Sequence, residues 1–294
     1  MTEGPTLQCA SELQELMRRY YFQVAIAPGQ GQPVGWITAA APVELLHAMD
    51  IVPFYPENHA ALCGARKVAV SLCEMAEGLG YSRDLCSYAR CDFGYTQTSP
   101  GVTQSPLGFL SPPAFLIGCN NQCGTVTKWY EVQSRHFGVP FLMIDAPFVR
   151  DKLEPWVTDY VEAQLWQAVR QIEAITGRLL NEDKLLEVMM LSKRTSDLWR
   201  EALLQAANRP APWTAFDQFI HMSAIVTLRG TQDSVDYYEK LLAELKERVR
   251  QNIGAIANEK YRLMYDNIPM WFKLRAHSLK LMSLNAVAVA SPYT

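Results

Sequence analysis

The sequence is short of the features that would place it in a membrane, on a nucleic acid or outside the cell. No apolar run reaches the roughly eighteen residues that a membrane-spanning helix needs. Positive charge is not in excess: 27 Lys and Arg face 30 Asp and Glu, a net charge of -3, so no basic field favours nucleic acid. Met1–Leu13 has no basic stretch followed by an apolar core, so a secretory signal is not expected and the chain reads as cytoplasmic. Internal repeats and low-complexity tracts are missing, and no two cysteines stand in a CxxC spacing. What remains is a globular composition, 49% hydrophobic and 19% charged over 294 residues, enough for one large domain or two ordinary ones.

Seven cysteines are present, at 9, 63, 73, 86, 91, 119 and 123, and none follows Cys123. In a reducing compartment they are thiols, ligands or nucleophiles rather than cross-links. Cys63 and Cys73, ten apart with Val70 between them, read as core residues of one helix. Cys9 reads as a surface or packing residue, and Cys91 is open because it lies close to Cys86.

The pattern predicts helix over 8–24, a Pro/Gly break over 27–33, a buried strand at Val34–Ala40 and a helix started by Pro42. A second apolar run, Ile51–Tyr55, precedes a helix over 58–79. Ser82 or Asp84 is expected to cap a short helix holding Cys86, and 95–113 reads as loop. Strand Ala114–Cys119, a helix over 125–137 and strand Pro140–Asp145 follow. Strands that are apolar throughout and alternate with helices imply a parallel sheet covered on both faces. The expected fold is therefore α/β: a Rossmann-like domain over 1–150, whose ligands bind beyond the carboxyl ends of the strands. Residues 155–284 read as helical, with Leu241, Leu242, Leu245, Val249, Ile253 and Ile256 on one long helix. Ala286–Ala290 reads as a lone buried strand. The expectation for 151–294 is a helical region leading into a second α/β domain that appears truncated.

Two segments carry cysteine in polar surroundings at predicted helix starts. They are Asp84-Leu85-Cys86-Ser87-Tyr88-Ala89-Arg90 and Cys119-Asn120-Asn121-Gln122-Cys123-Gly124. Free amides and the positive end of the helix dipole favour a thiolate there, which is the form a metal takes. Spacing alone favours the ordinary reading, buried structural thiols. Tyr55-Pro56-Glu57-Asn58-His59 offers a carboxylate and an imidazole after a strand, either an acid–base pair or a helix cap at Asn58 beside a solvated Glu57. Arg229-Gly230-Thr231 is a phosphate contact or simply a helix start. Trp36, Trp129, Trp156 and Trp166 are expected in the core.

Several segments in order resemble the catalytic subunits of 2-hydroxyacyl-CoA dehydratases and their benzoyl-CoA reductase relatives. They are GWITAAAPVE (35–44), FYPENHAALCGARK (54–67), YSRDLCSYARCDFG (81–94), NNQCGTVTKWYE (120–131), LRGTQDSVDYY (228–238) and 259–291. The resemblance implies a 4Fe-4S subunit that pairs with a homologous second subunit and receives electrons from an ATP-hydrolysing iron–sulfur activator. The implied reaction is radical elimination of water from an acyl-CoA substrate to give the enoyl-CoA. The alternatives are a benzoyl-CoA-type reductase subunit and a non-catalytic partner subunit. Carried over by position, Cys86 and Cys123 are the cluster ligands, Cys119 ranks third, and Glu57 is the acidic residue near the substrate. The family's third ligand comes from further downstream, so the chain is expected to be a fragment or to hold its cluster differently. Ala39 stands where a serine is expected after Thr38, which weakens hydroxyl chemistry in this subunit.

Overall fold

The computed structural model describes residues 6–98, 105–108 and 110–294. The chain divides into two compact units, one of Tyr21–Leu186 and one of the residues up to Tyr20 with Glu187–Thr294. The sequence reading divides it at 150 instead. The difference arises because two continuous helices, α1 (Ala10–Ile26) and α8 (Glu182–Gln205), each contribute residues to both units.

In the Tyr21–Leu186 unit the order is β1 (Val34–Ile37), α2 (Val43–Ala48), β2 (Val52–Phe54), α3 (Pro56–Ala65), α4 (Ala69–Gly78) and α5 (Ser87–Thr96). It continues with β3 (Phe115–Cys119), α6 (Gly124–Phe137), β4 (Phe141–Ile144) and α7 (Pro155–Thr176). The four strands form a parallel sheet in the order β2-β1-β3-β4. This is the α/β arrangement the apolar strands require: β1, β2 and β3 are buried along their whole length because helices cover both faces. Trp36 and Phe54 pack at 5.3 Å between ring centroids, and the Tyr130 hydroxyl donates to Ile37 O at 2.9 Å, seating α6 on the sheet.

The helix expected over 58–79 is two helices. Its break has no proline, and the glycine beside it, Gly64, is still helical. Lys67 adopts φ 62°, and the amides of Lys67 and Val68 close back onto Gly64 O and Cys63 O. That is the left-handed closure that satisfies the last carbonyls of a helix. Cys63 and Cys73 consequently sit on different helices. Both are buried, but Val70 is exposed and shares no face with them. Gly94 is where α5 crosses α4: a Cβ there would lie 1.8 Å from Leu72 O. The loop expected over 95–113 begins only after Thr96, and part of it lies outside the described residues.

The second unit contains most of α8, then α9 (Ala215–His221), α10 (Ser223–Leu228), α11 (Gln232–Arg250), β5 (Tyr261–Met264), α12 (Leu274–Met282) and β6 (Ala286–Ala290). Trp199, Trp213, Tyr238, Leu241 and Leu245 form its buried centre. α11 stops at Arg250 by the same closure as α3, with Asn252 at φ 57° and Ile253 N bonded to Arg248 O, so Ile253 and Ile256 fall beyond it. Helix does not run to 284 either. β5 interrupts it and pairs in parallel with β6, so the last strand is not alone. The mostly exposed residues of β5 present no apolar run to read. Trp36 and Trp129 are buried as expected, whereas Trp156 and Trp166 are 60% and 43% exposed. Among the described residues no helix is long and apolar enough to cross a membrane.

Candidate functional site at the strand ends

The carboxyl ends of β1, β2 and β3 converge on one carboxyl group. Tyr55 takes the N-cap position of α3 and Pro56 its first turn, which places Glu57 over the sheet rather than in solvent. Glu57 is buried. One oxygen accepts from the Ala39 amide at 2.8 Å and the other from Gln122 Nε2 at 2.9 Å. Burial disfavours the charged form and pushes its pKa up to about 7; the bonds from Gln122 and Ala39 oppose that but do not cancel it. The carboxyl group is thus poised near neutrality, where a residue can both take and give a proton.

Neither reading of the Tyr55–His59 segment survives intact. Glu57 is not solvated, and Asn58 is not the cap of α3. Glu57 and His59 do not form a pair: His59 Nε2 lies 3.1 Å from Ser105 Oγ and 3.4 Å from Cys63 Sγ, while Glu57 turns to Ala39 and Gln122. Positions two apart on a helix do not face each other, so the pair is lost once the segment is helical from Pro56.

The segment after β3 is pinned from two sides. Asn120 Nδ2 donates to Asp145, and Asn120 Oδ1 accepts from Ala146 N at 2.7 Å, tying the turn to the end of β4. Two residues on, Gln122 ties it to Glu57. Cys123 then falls at the N-cap of α6, exposed, with its sulfur accepting from Val126 N at 3.4 Å. Cys119, the last residue of β3, is buried. The role of Gln122 was not read from the sequence. Its position one residue before Cys123 was the only signal, and it becomes informative only once Glu57 is known to face it.

Cys86 is also exposed at a helix N-cap, that of α5. Ser82 and Asp84 do not cap this helix; the Ser82 hydroxyl instead accepts from Asp84 N within the preceding turn. Arg90, half-buried in an ion pair with Glu77, donates to Leu85 O at 2.9 Å and so fixes the residue before Cys86. Arg229-Gly230-Thr231 is a helix start: the Thr231 hydroxyl accepts from Ser234 N in the first turn of α11.

Residues 38–294 match the family model of the 2-hydroxyglutaryl-CoA dehydratase D-component. The chain belongs to this family. It is 37% identical over 262 residues to the alpha subunit of (R)-2-hydroxyisocaproyl-CoA dehydratase from Clostridioides difficile, a match covering 88% of this chain and 63% of the relative. It is 33% identical to the (R)-phenyllactyl-CoA dehydratase alpha subunit of Clostridium sporogenes, covering 91% of this chain and 65% of the relative. A benzoyl-CoA reductase subunit of Thauera aromatica is 32% identical, covering 85% and 60%. The chain thus spans less than two thirds of the length of these relatives. For an iron–sulfur group, the donor chemistry fits in part: Cys86 and Cys123 are two exposed thiols at helix N-termini. Among the described residues, no group of three His, Cys, Asp or Glu side chains could hold a metal ion.

Proposed function

We propose that the chain is an iron–sulfur subunit of a 2-hydroxyacyl-CoA dehydratase. It pairs with a related second subunit in the cytoplasm, depends on an ATP-hydrolysing activator, and releases water from a 2-hydroxyacyl-CoA to leave the enoyl-CoA. β5 and β6 belong, on this reading, to a second α/β domain. The observation that carries the proposal is Glu57: a buried carboxyl poised near pH 7, bridging the ends of β1 and β3 beside the Cys123 turn. The dehydratase alpha subunits among the relatives support the same substrate class.

Cys86 and Cys123 would hold a 4Fe-4S cluster together with ligands from elsewhere. When bound, such a cluster supplies a Lewis-acidic iron and low-potential electron chemistry. The chain's own residues do the rest. Glu57 exchanges a proton with substrate, its two oxygens held in place by Ala39 N–H and the Gln122 amide. The covered sheet around it keeps water from the carboxyl group and so holds its pKa near 7. Elimination takes the hydroxyl from carbon 2 and a hydrogen from carbon 3, so it consumes no net electrons.

The experiment is to incubate the complex with activator, ATP and a series of 2-hydroxyacyl-CoA thioesters, following enoyl-CoA formation and reductant consumed. Enoyl-CoA with catalytic amounts of reductant is the expected result. A second reading, an aryl-CoA reductase subunit, is favoured by Ala39, which offers Glu57 an amide but no hydroxyl. Stoichiometric electron consumption with an aromatic thioester would establish it and displace the dehydratase.

A further inference from the structure

The buried carboxyl group of Asp92 joins the two helices that open on the exposed cysteines. Cys86 is the N-cap of α5 and Cys123 the N-cap of α6. Asp92 lies six positions after Cys86, and Trp129 six positions after Cys123. Each therefore stands about 9 Å along its helix from the cysteine, at the usual rise per residue. Asp92 Oδ2 accepts from Trp129 Nε1 at 2.6 Å and from the Gln133 amide, one turn further along α6. Gln133 Nε2 also lies 2.9 Å from Thr96 Oγ1, one turn beyond Asp92 on α5. Asp92, Trp129 and Gln133 are all fully buried. None of them has a part in the chemistry assigned to Glu57, Cys86 and Cys123.

We propose that Asp92 is a positioning residue, a clamp between α5 and α6 that sets the distance between the Cys86 and Cys123 sulfurs. The proposal rests on the reading of these two thiols as cluster ligands. Each thiol is fixed locally by bonds to its own surroundings. Arg90, paired with Glu77 on α4, holds Leu85 O just before Cys86. Glu57 on α3 holds Gln122 just before Cys123. Those bonds tie each helix start to its neighbours but not one start to the other. The bonds to Asp92 do that. Packing alone has no need of a carboxyl group here, because an apolar side chain of the same size fills the space without the cost of burying a polar one. What the carboxyl group adds is direction. Trp129 and Gln133 stand four positions apart on one face of α6, and both meet Oδ2. Two donors on one acceptor fix the rotation of α6 about its axis as well as its distance from α5. A rotated helix swings its N-cap residue, and a metal ligand serves only when held within about 0.5 Å of its place.

The test is the distance between nitroxide labels on Cys86 and Cys123 of the intact chain, read by electron paramagnetic resonance without iron. The other five cysteines are buried, so the two native thiols take the labels directly. The parent should give one narrow distribution. Trp129→Phe deletes the donor, and Asp92→Leu deletes the acceptor. Each should widen the distribution or move its maximum by about 1–2 Å, the size of a helix shift. Asp92→Asn should keep the parent's distribution: its carbonyl oxygen can take both bonds, and its amide falls where Oδ1 has no partner. Tyr130→Phe is the control, because it removes a buried bond of α6 to Ile37 O and should cost stability without moving the labels. Unchanged distances in Trp129→Phe and Asp92→Leu would overturn the clamp, and so would an equal change in Tyr130→Phe. Trp129→Phe decides the question if Asp92→Leu does not fold. After anaerobic reconstitution, iron affinity should fall about 10- to 100-fold in Trp129→Phe. Iron held as tightly as by the parent, in a variant whose labels have moved, would remove the two cysteines from the ligand set and leave the clamp standing.

Discussion

Two regions of the Tyr21–Leu186 unit use cysteine in opposite surroundings. Cys86 and Cys123 are exposed N-cap residues, of α5 and α6. Between α3 and α5, Cys63 and Cys91 are sealed among His59, Tyr95 and Asp92. The first pair is presented outward, as the proposed ligand role requires. The second pair is closed off from solvent. The difference shows that helix position, not neighbouring sequence, sets a thiol's exposure: Cys86 and Cys91 are only five residues apart, yet one opens α5 and the other is buried within it.

The most severe way to break both regions at once is Gly94→Ala. A Cβ would lie 1.8 Å from Leu72 O and 2.7 Å from Leu72 C, both backbone atoms, so α4 and α5 must separate. A loss of about 3 kcal/mol or more is expected from such overpacking, measurable by urea denaturation. A variant as stable as the parent would show that α5 is not wedged against α4.

Next in size is the effect of Cys86→Ala or Cys123→Ala on metal. Each should abolish iron binding after anaerobic reconstitution while changing stability by less than about 0.5 kcal/mol, because both sulfurs are exposed. Retained iron in both variants would remove these residues from the ligand set.

Glu57→Gln should lower turnover about 10²- to 10⁴-fold with the fold intact, the scale of a lost general acid–base. It should also flatten one part of the stability–pH curve. Glu57 is raised from an ordinary carboxylate value to about 7, so the folded state binds the proton more tightly than the unfolded chain. The stability this contributes is complete below the unfolded value and is lost as pH rises to about 7. Thermal melts of parent and variant between these limits should diverge, the variant being the more stable at the upper end. Parallel curves would mean that the carboxyl group is solvated.

The smallest effect sharpens the comparison most. Cys63→Ala should cost about 1–2 kcal/mol through the cavity it leaves, yet bind iron like the parent. Iron loss here, at a residue with no exposed sulfur, would erase the distinction between the two regions.

Most of the sheet was legible because strands buried on both faces are apolar at every position, as in Phe115–Cys119. The two helix stops at Lys67 and Asn252 were not, because neither residue is a strong breaker and the closure depends on a left-handed backbone. β5 escaped because Tyr261–Met264 is largely exposed. In the site, Cys86 and Cys123 were marked by their polar, helix-opening contexts, whereas Gln122 was invisible until its amide was seen on Glu57.

By itself, then, the order of residues determined the alternation of buried strands and helices, the α/β class that follows from it, and the two cysteines set at helix starts. Those are local properties of burial, turn chemistry and free amides. Only the tertiary structure decided that Glu57 faces Ala39 and Gln122 instead of His59, and that Asp92 meets Trp129 and Gln133. Those pairings join residues up to 65 positions apart. Their existence depends on which strand lies beside which and on how helices cross, quantities set by packing rather than by neighbours in the chain.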